Sequence, residues 1–296
     1  MLRIILLVMA AAITPNSVNT QPLRAEDFVL TAAPKGHYFE KILEAAVFAA
    51  DGKHTVRTYD FGQHVAQNRI LRMLGDAHPL INVTFTGHSK TREAQLRQID
   101  IPLSRGLFGY RLLVIREENQ HLFNGIRSLK NLTDRISVGS GVGWPDTEIL
   151  HHNRFTVETG AVHNLWQMLT HQRFTAFPRS LYEVGSELIE QAALQPDVPV
   201  ISEKTIMLYY PFDLFFYVAP DDHKRAAIIE QGLARIYKNG TFMKIFENDP
   251  EIQNALAEAA KFKRTIIQLE NPLNSERVRA IPERYWHKFT EQSPSK

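Results

Sequence analysis

The stretch Ile136-Ser-Val-Gly-Ser-Gly-Val-Gly-Trp-Pro-Asp-Thr-Glu-Ile-Leu150 joins an apolar run to a helical segment through three glycines. The run up to Val138 predicts a strand, and Pro145 is favourable in the first turn of a helix. Glycines allow a ligand to approach the backbone, and the N–H groups of such a turn and of a helix N-terminus attract anions. The stretch therefore predicts a strand–turn–helix unit with an anion site at its turn.

Three interpretations of this turn remain open. The first is a site for an anion or a carboxylate. The second is a dinucleotide pyrophosphate site with Glu158 as the ribose ligand, although the spacing Gly139-x-Gly141-x-Gly143 departs from G-x-G-x-x-G and the helix from Pro145 is short. The third is a purely structural turn.

Strand and helix patterns alternate on both sides of the turn. Strands are expected at 28–33, 54–59, 81–85, 111–115, 155–157, 174–177 and within 207–219, where Pro211 interrupts the apolar run. Helices are expected at 38–50, 63–75, 146–152, 161–171, 181–194, 223–238 and 251–261. This alternation predicts an α/β fold with mainly parallel sheets, in which ligands lie in a crevice at the carboxyl ends of the strands.

Composition limits the classes of function. The chain has 296 residues, enough for about two domains or lobes, and its net charge of +2 gives no reason to expect a nucleic-acid partner. It contains no cysteine. Disulfides, thiolate metal sites, a thiol nucleophile and a cysteine-linked lipid anchor are therefore excluded.

The first twenty residues have the order of a secretory signal peptide. Arg3 supplies a positive charge, residues 4–13 are apolar, and a polar stretch follows. The apolar run is shorter than the roughly 20 residues that a membrane-spanning helix needs. We expect residues 1–20 to be cleaved and the mature protein to be periplasmic; a buried N-terminal helix is the alternative.

Two arginines follow predicted strands. Arg92 belongs to a helix that Ser89 or Thr91 would cap, and it would stand near the end of the strand 81–85, where a guanidinium can hold a carboxylate. The alternative is an exposed helix arginine paired with a glutamate. Arg179 and Ser180 follow the strand 174–177 and are expected at the crevice, or else serve as a solvated charge and a helix cap.

No metal or cofactor site is predicted. The twelve histidines include no H-E-x-x-H pattern, and no acidic residue completes a ligand set at a recognisable spacing. A G-x-S-x-G nucleophile turn fails around Ser140, because Val138 occupies the first glycine position.

The order of the motifs resembles a known family. The segments that carry the resemblance are Ser89-Lys-Thr-Arg92, Ile99-Asp-Ile-Pro102, Tyr110–Ile115, Leu129–Gly141, Leu165–Ala176 and Tyr209–Ile245. In this order the mature chain resembles the extracytoplasmic solute-binding proteins of family 3, the amino-acid type of ABC transporter. The individual matches are loose, and their order over the chain carries the resemblance.

The resemblance implies a two-lobed periplasmic-binding-protein fold of the second topological type, with a two-strand hinge. Residues 24–109 and 206–296 would form the first lobe and residues 111–204 the second. The implied ligand-binding residues are Tyr38, Ser89, Arg92, Gly139, Ser140, Gly141, Trp144, Arg179 and Ser180. Arg92 would take a carboxylate of the ligand, with the 139–143 turn facing it.

The family also implies a function and partners. We expect a monomer that captures a small solute and presents it to an inner-membrane ABC permease or to a membrane sensor, without a cofactor and without catalysis. Amino-acid binders place an aspartate where this chain has Pro178-Arg179-Ser180, so the expected solute is anionic or carboxylate-bearing. A hydrolase or lyase-like enzyme that uses Asp146, Glu158 or Glu183, and a scaffold without a ligand, are the alternatives.

Overall fold

The computed structural model describes residues 26–31, 36–62 and 65–289, so the predicted signal peptide at 1–20 lies outside the described residues. The described strands are β1 (Asp27–Thr31), β2 (Thr55–Tyr59), β3 (Thr84–Gly87), β4 (Arg97–Gln98), β5 (Tyr110–Arg116), β6 (Ser137–Gly141), β7 (Thr156–Gly160), β8 (Ala176–Ser180), β9 (Val200–Tyr209), β10 (Leu214–Val218) and β11 (Thr265–Gln268). The described helices are α1 (Tyr38–Asp51), α2 (Gln67–Gly75), α3 (Lys90–Gln95), α4 (Leu129–Thr133), α5 (Pro145–His152), α6 (Val162–Thr170), α7 (Val184–Leu194), α8 (His223–Lys238), α9 (Thr241–Asn248), α10 (Pro250–Ala260) and α11 (Glu276–Arg279).

The first half of the fold is built on a group of strands that we call sheet I. Strands β1 and β2 pair in parallel, and an isolated parallel bridge from Leu30 to Val83 leads from β1 to the start of β3. Strand β10 pairs antiparallel with both β3 and β4. Helices α1 and α8 pack against each other beside this group, where the apolar faces predicted from their periodicity are buried.

The second half is a six-stranded sheet, sheet II, in the order β11-β9-β5-β8-β6-β7. Strand β5 is antiparallel to both of its neighbours, and the remaining pairs are parallel. The α/β prediction is confirmed.

Two links join the sheets. The chain leaves β4 at Gln98 and enters β5 at Tyr110, and it returns from β9 at Tyr209 to β10 at Leu214. Tyr110 and Tyr209 are paired in register, so both links pass through the same place. Within the described residues, no helix is long and apolar enough to cross a membrane.

The observed elements differ from the prediction in some boundaries and in some elements that were not predicted. Regular pairing of the strand expected at 81–85 starts only at Thr84, and the helix expected from 181 starts at Val184 after a turn. Strands β4 and β11 and helices α4, α9 and α11 were not predicted. Four of these have five residues or fewer, too few to show a period. Helix α9 begins directly after Gly240, where the sequence predicted the end of a helix.

Candidate ligand-binding cleft

Arg92 is the centre of the candidate site. Its helix α3 begins after Ser89, whose hydroxyl accepts a hydrogen bond from the Arg92 backbone N–H at 3.2 Å. Of the two caps that the sequence allowed, Ser89 and Thr91, the structure uses Ser89. The side chain is 6% exposed. It turns back toward the end of β3, where one terminal nitrogen donates to Thr86 Oγ1 at 2.7 Å and to the Gly87 carbonyl at 2.8 Å.

The other terminal nitrogen of Arg92 faces sheet II. It donates to Gln67 Oε1 at 2.6 Å and lies 3.4 Å from the Gly143 carbonyl oxygen. Gly143 belongs to the turn between β6 and α5 and has a positive φ of 78°, which favours glycine. The structure therefore brings Arg92 against the 139–143 turn, two features about fifty residues apart in sequence.

A cleft of about 690 Å³ opens beside this contact. Its walls come from α2, from α3 and from the start of α5, where Trp144 and Pro145 contribute the second wall. Its volume is in the range of small-molecule sites, roughly 300–1,000 Å³. The polar and charged side chains that line it are Asn68, Arg72, Asp76, Ser89, Thr91, Arg92, Gln95 and Glu148.

The guanidinium of Arg92 carries its charge without an acidic hydrogen-bond partner. The four oxygens named above are hydroxyl, amide and carbonyl oxygens. Burial lowers the pKa of Arg92, and the more distant Tyr217 and Asp146 only partly oppose that effect. A buried cation with neutral partners is a position where an anion is bound strongly.

No protein-family model matches the chain, and no curated protein matches it by sequence. Solved structures match it by fold. A binding component of an ABC transporter from Wolinella succinogenes, complexed with lysine, is 12% identical and superposes with a TM-score of 0.54 over 76% of this chain and 97% of that chain. A histidine kinase sensor domain with similarity to periplasmic binding proteins is 14% identical, with a TM-score of 0.53 over 75% of this chain and 95% of that chain. An ancestral amino-acid-binding protein, a precursor of cyclohexadienyl dehydratase, is 15% identical, with a TM-score of 0.51 over 75% and 94%.

The chain has the two-lobed fold of the periplasmic binding proteins. We call the half of the fold that contains sheet I lobe 1 and the half that contains sheet II lobe 2. The cleft beside Arg92 lies between α2 and α3 of lobe 1 and the start of α5 of lobe 2.

Three of the residues predicted for the site line this cleft: Ser89, Arg92 and Trp144. Tyr38 does not. It is buried at the start of α1, its hydroxyl donates to the Leu103 carbonyl at 2.8 Å, and its ring packs against Phe39 and Tyr182. The structure therefore places Tyr38 in a buried aromatic cluster with Phe39 and Tyr182.

The first residues of the glycine turn lie behind the cleft wall. A Cβ atom on Gly139 would lie 2.2 Å from the Phe174 ring, and one on Gly141 would lie 2.4 Å from the Trp144 ring. Ser140 is buried and accepts a hydrogen bond from the Thr147 hydroxyl at 2.8 Å. These two glycines therefore make room for aromatic side chains, and of the glycines at 139, 141 and 143 only Gly143 lines the cleft.

Arg179 is buried under the same wall. It forms a bidentate ion pair with Glu187 at 2.5 and 2.7 Å, and it lies 3.1 Å from Glu183. Its guanidinium is 5.1 Å from the Trp144 ring centroid. Burial lowers the pKa of Arg179, but the two glutamates outweigh burial and raise it overall. Arg179 thus supports Trp144 with its charge already compensated.

Ser180 ends β8 and is fully buried, with its hydroxyl accepting from the Tyr182 N–H at 3.1 Å.

Asp146 accepts from the Tyr210 hydroxyl and pairs with Arg111 at 2.5 Å. Asp146 is in the first turn of α5, next to the cleft-lining Pro145. The lobe 2 wall of the cleft therefore packs on the buried side chains of Arg111 and Arg179, which are paired with acidic residues.

Sequence reasoning missed several residues of the site. Gln67, which bonds Arg92, and Asn68 come from the start of α2, and Leu273 comes from near the C-terminus. Nothing in the local pattern around these residues distinguishes them from surface or core positions. Among the described residues, no group of histidines and acidic residues could hold a metal ion.

Proposed function

We propose that this chain is an extracytoplasmic solute-binding protein that captures a small carboxylate-bearing solute between its two lobes. The observation that carries the proposal is the buried guanidinium of Arg92, which has neutral hydrogen-bond partners and touches the turn of the opposite lobe. A carboxylate at this position would form charge-assisted hydrogen bonds with a donor that burial has already removed from water.

The proposed capture uses both lobes. We assign residues 24–109 to lobe 1 and 111–204 to lobe 2. Residues 206–296 are expected in lobe 1, but of these we assign 206–209 and β11 to lobe 2, because they pair in sheet II. The solute carboxylate would replace Gln67 and the Gly143 carbonyl as partners of Arg92, while Trp144 covers its apolar part.

A first experiment identifies the solute. Mass spectrometry of protein purified in the native state would reveal a bound carboxylate, and a thermal-shift panel of small carboxylic acids would rank candidates. A solute at about 100 times its Kd should stabilise the folded protein by about 2.7 kcal/mol.

A pair of variants then tests the role of Arg92. We expect Arg92→Ala to weaken binding of that solute by about tenfold or more, which corresponds to about 1.4 kcal/mol. Arg69→Ala is the matched control, because Arg69 is an exposed arginine on the neighbouring helix α2. Calorimetry on both variants gives the answer: equal affinities for Arg92→Ala and the unmodified protein would contradict the proposal.

The proposed partner is a membrane protein. The fold is shared by a binding component of a transporter and by the sensor domain of a histidine kinase, and both kinds of protein support a periplasmic location for this chain. We propose that the solute-loaded monomer docks on an ABC permease or on a membrane sensor. Crosslinking in intact cells, followed by identification of the attached membrane protein, would separate the two.

We propose binding without catalysis. Of the carboxylates considered as catalytic groups, Asp146 is held by Arg111 and Tyr210, and Glu183 lies beside Arg179. Glu158 lies in the middle of β7, opposite Gly139. These positions support a role in structure, and recovery of the solute unchanged after prolonged incubation is the expected result.

A further inference from the structure

The segment 269–289, which we call the strap, follows β11 and runs from lobe 2 to lobe 1. It begins beside sheet II, where the Leu269 N–H donates to the Tyr209 carbonyl at 2.7 Å. It ends near the start of β5, where Phe289 packs edge-on against the Tyr110 ring at 4.7 Å between centroids. Leu273, in its middle, lines the ligand cleft.

The strap is anchored to lobe 2 through Asn153, directly after α5. The Asn153 side chain donates to the Glu270 carbonyl at 2.8 Å and accepts from the Glu270 N–H at 3.0 Å. Asn153 is 7% exposed. A buried side-chain amide that satisfies both backbone groups of one residue holds that residue in place as a strand partner would.

The strap then crosses the link between β9 and β10. The side-chain amides of Asn271 and Asn274 both donate to the Pro211 carbonyl, at 2.8 and 2.9 Å. Asn274 is buried, and Pro211 lies two residues after the end of β9. The middle of the strap is therefore fixed to one of the two links on which the lobes would rotate.

The strap is anchored to lobe 1 directly after this crossing. The buried His88 places Nε2 3.1 Å from the Leu273 carbonyl oxygen and 3.3 Å from the Ser275 N. Arg277 pairs with Asp100 at 2.6 Å and with Glu93 at 3.3 Å. The two anchors, at Glu270 and at Leu273, are only three residues apart.

We propose that the strap is a tether that holds the two lobes at the angle seen here and keeps the cleft closed in the absence of solute. The connection between the anchors is folded into a turn, in which the Asn271 side chain accepts from the Leu273 N–H at 2.9 Å and donates to Asn274 Oδ1 at 3.2 Å. Opening must then unfold this turn, or release the Asn153 anchor, or release the contacts with His88 and Arg277. This inference rests on the two-lobed fold and on these contacts, and it does not depend on which solute binds.

The distance between the lobes can be measured directly, because a chain without cysteine accepts spin labels only where cysteines are introduced. Ala234→Cys on α8 and His163→Cys on α6 replace exposed residues, one beside each sheet. Double electron–electron resonance on the unliganded, doubly labelled protein should give one narrow distribution of distances between the two spin labels. The tether predicts this result, and a broad distribution would overturn it.

The decisive variant combines Asn271→Ala, Asn274→Ala and Arg277→Ala. It removes the hydrogen bonds from the strap to the Pro211 carbonyl together with the ion pairs of Arg277 with Asp100 and Glu93. We expect a second, longer distance population to appear. Arg284→Ala, inside the strap, is the matched control because the Arg284 guanidinium contacts the adjacent Tyr285. The control should keep the narrow distribution, and an unchanged distribution in the triple variant would overturn the proposal.

A measurement on the unmodified protein covers the case in which the triple variant does not fold. A tether predicts that the strap amides of Leu269, Glu270 and Leu273 exchange their hydrogens as slowly as those of β9. Fast exchange at these amides would overturn the proposal. Neither the distance measurement nor the hydrogen-exchange measurement uses solute. A failure of Arg92 to bind a carboxylate would therefore contradict the proposed function and leave the tether untouched.

Discussion

Single buried charges control much of this molecule, and Asp213 is a clear example. Its carboxylate is fully buried in the link between β9 and β10. It accepts hydrogen bonds from the Ser104 N–H and hydroxyl and from the Gly106 N–H. Because Ser104 and Gly106 lie in the other link, Asp213 joins the two segments that connect the lobes.

Asp213 predicts a pH dependence of stability. Burial raises its pKa from 3.8 to about 7, although the hydrogen bonds act in the opposite direction. The folded state then holds this proton to a higher pH than the unfolded state. The contribution to stability is complete below about pH 4 and is lost as the pH rises through about 7, a loss of up to about 4 kcal/mol.

The test compares Asp213→Asn with the exposed Asp134→Asn as a control. Urea unfolding between about pH 4 and about pH 8 should show that Asp213→Asn has lost this part of the slope, although its stability is lower throughout because an amide cannot accept all these hydrogen bonds. All other ionisable groups are common to both variants, so their contributions to the difference between the two curves cancel. Parallel pH curves for the two variants would contradict the assignment.

At the scale of elements, one glycine sets how closely α1 and α8 pack. A Cβ atom on Gly232 of α8 would lie 1.9 Å from the Ala46 carbonyl oxygen of α1. Backbone atoms cannot move aside as a flexible side chain can. The close crossing of these two helices, which covers one side of lobe 1, therefore requires glycine at this position.

We expect Gly232→Ala to lower the free energy of unfolding by about 3 kcal/mol, since it forces the two helices apart. Gly185→Ala on α7 is the matched control, because the nearest atom to its added methyl group would be Asn254 Cβ at 3.8 Å. That variant should be neutral or stabilising by up to about 1 kcal/mol through helix propensity. Similar values for the two variants in denaturant unfolding would show that the crossing tolerates a methyl group.

At the scale of the whole molecule, the two lobes are joined by buried polar contacts as well as by chain. Tyr210, just after β9, donates from its hydroxyl to Asp146 at the start of α5. Asp146 also pairs with Arg111 at 2.5 Å. This group connects the link between the lobes with the helix that carries the cleft wall.

Tyr210→Phe removes one hydrogen bond to a charged acceptor and leaves the ring in place. We expect a loss of about 1.5–3 kcal/mol in the free energy of unfolding. Tyr237→Phe is the control, because the Tyr237 hydroxyl makes a long contact of 3.4 Å with the Pro102 carbonyl. Equal losses in the two variants, measured by urea unfolding, would argue against a special role for the Asp146 group.

The sequence predicted most of the regular elements and three residues that line the candidate cleft, Ser89, Arg92 and Trp144. Helices α1, α5, α6 and α8 lie within one or two residues of their predicted spans because caps and periodicity are local properties. A helix cap at Ser89 or Thr91 and the break at Pro211 were predicted for the same reason, and the structure uses Ser89. The family resemblance is borne out at the level of the fold.

Other roles could not be predicted from local sequence. Gly139 and Gly141 have the pattern of a ligand loop, yet their missing side chains accommodate Phe174 and Trp144. Arg179 has the pattern of a cleft cation, yet Glu187, eight residues later, neutralises it. In both cases the sequence predicted a ligand-binding role, and the tertiary partner of the residue gives it a structural role.

What the sequence determined alone is the alternation of strands and helices, the absence of cysteine chemistry, and a helix that places an arginine after a strand. Each of these follows from neighbours within a few residues. Only the tertiary structure decided that Arg92 is buried against Gly143, that Leu273 reaches the cleft and that residues 269–289 cross both lobes. These contacts join residues from about fifty to about 180 positions apart, and their energies depend on burial and on partners that no local pattern encodes.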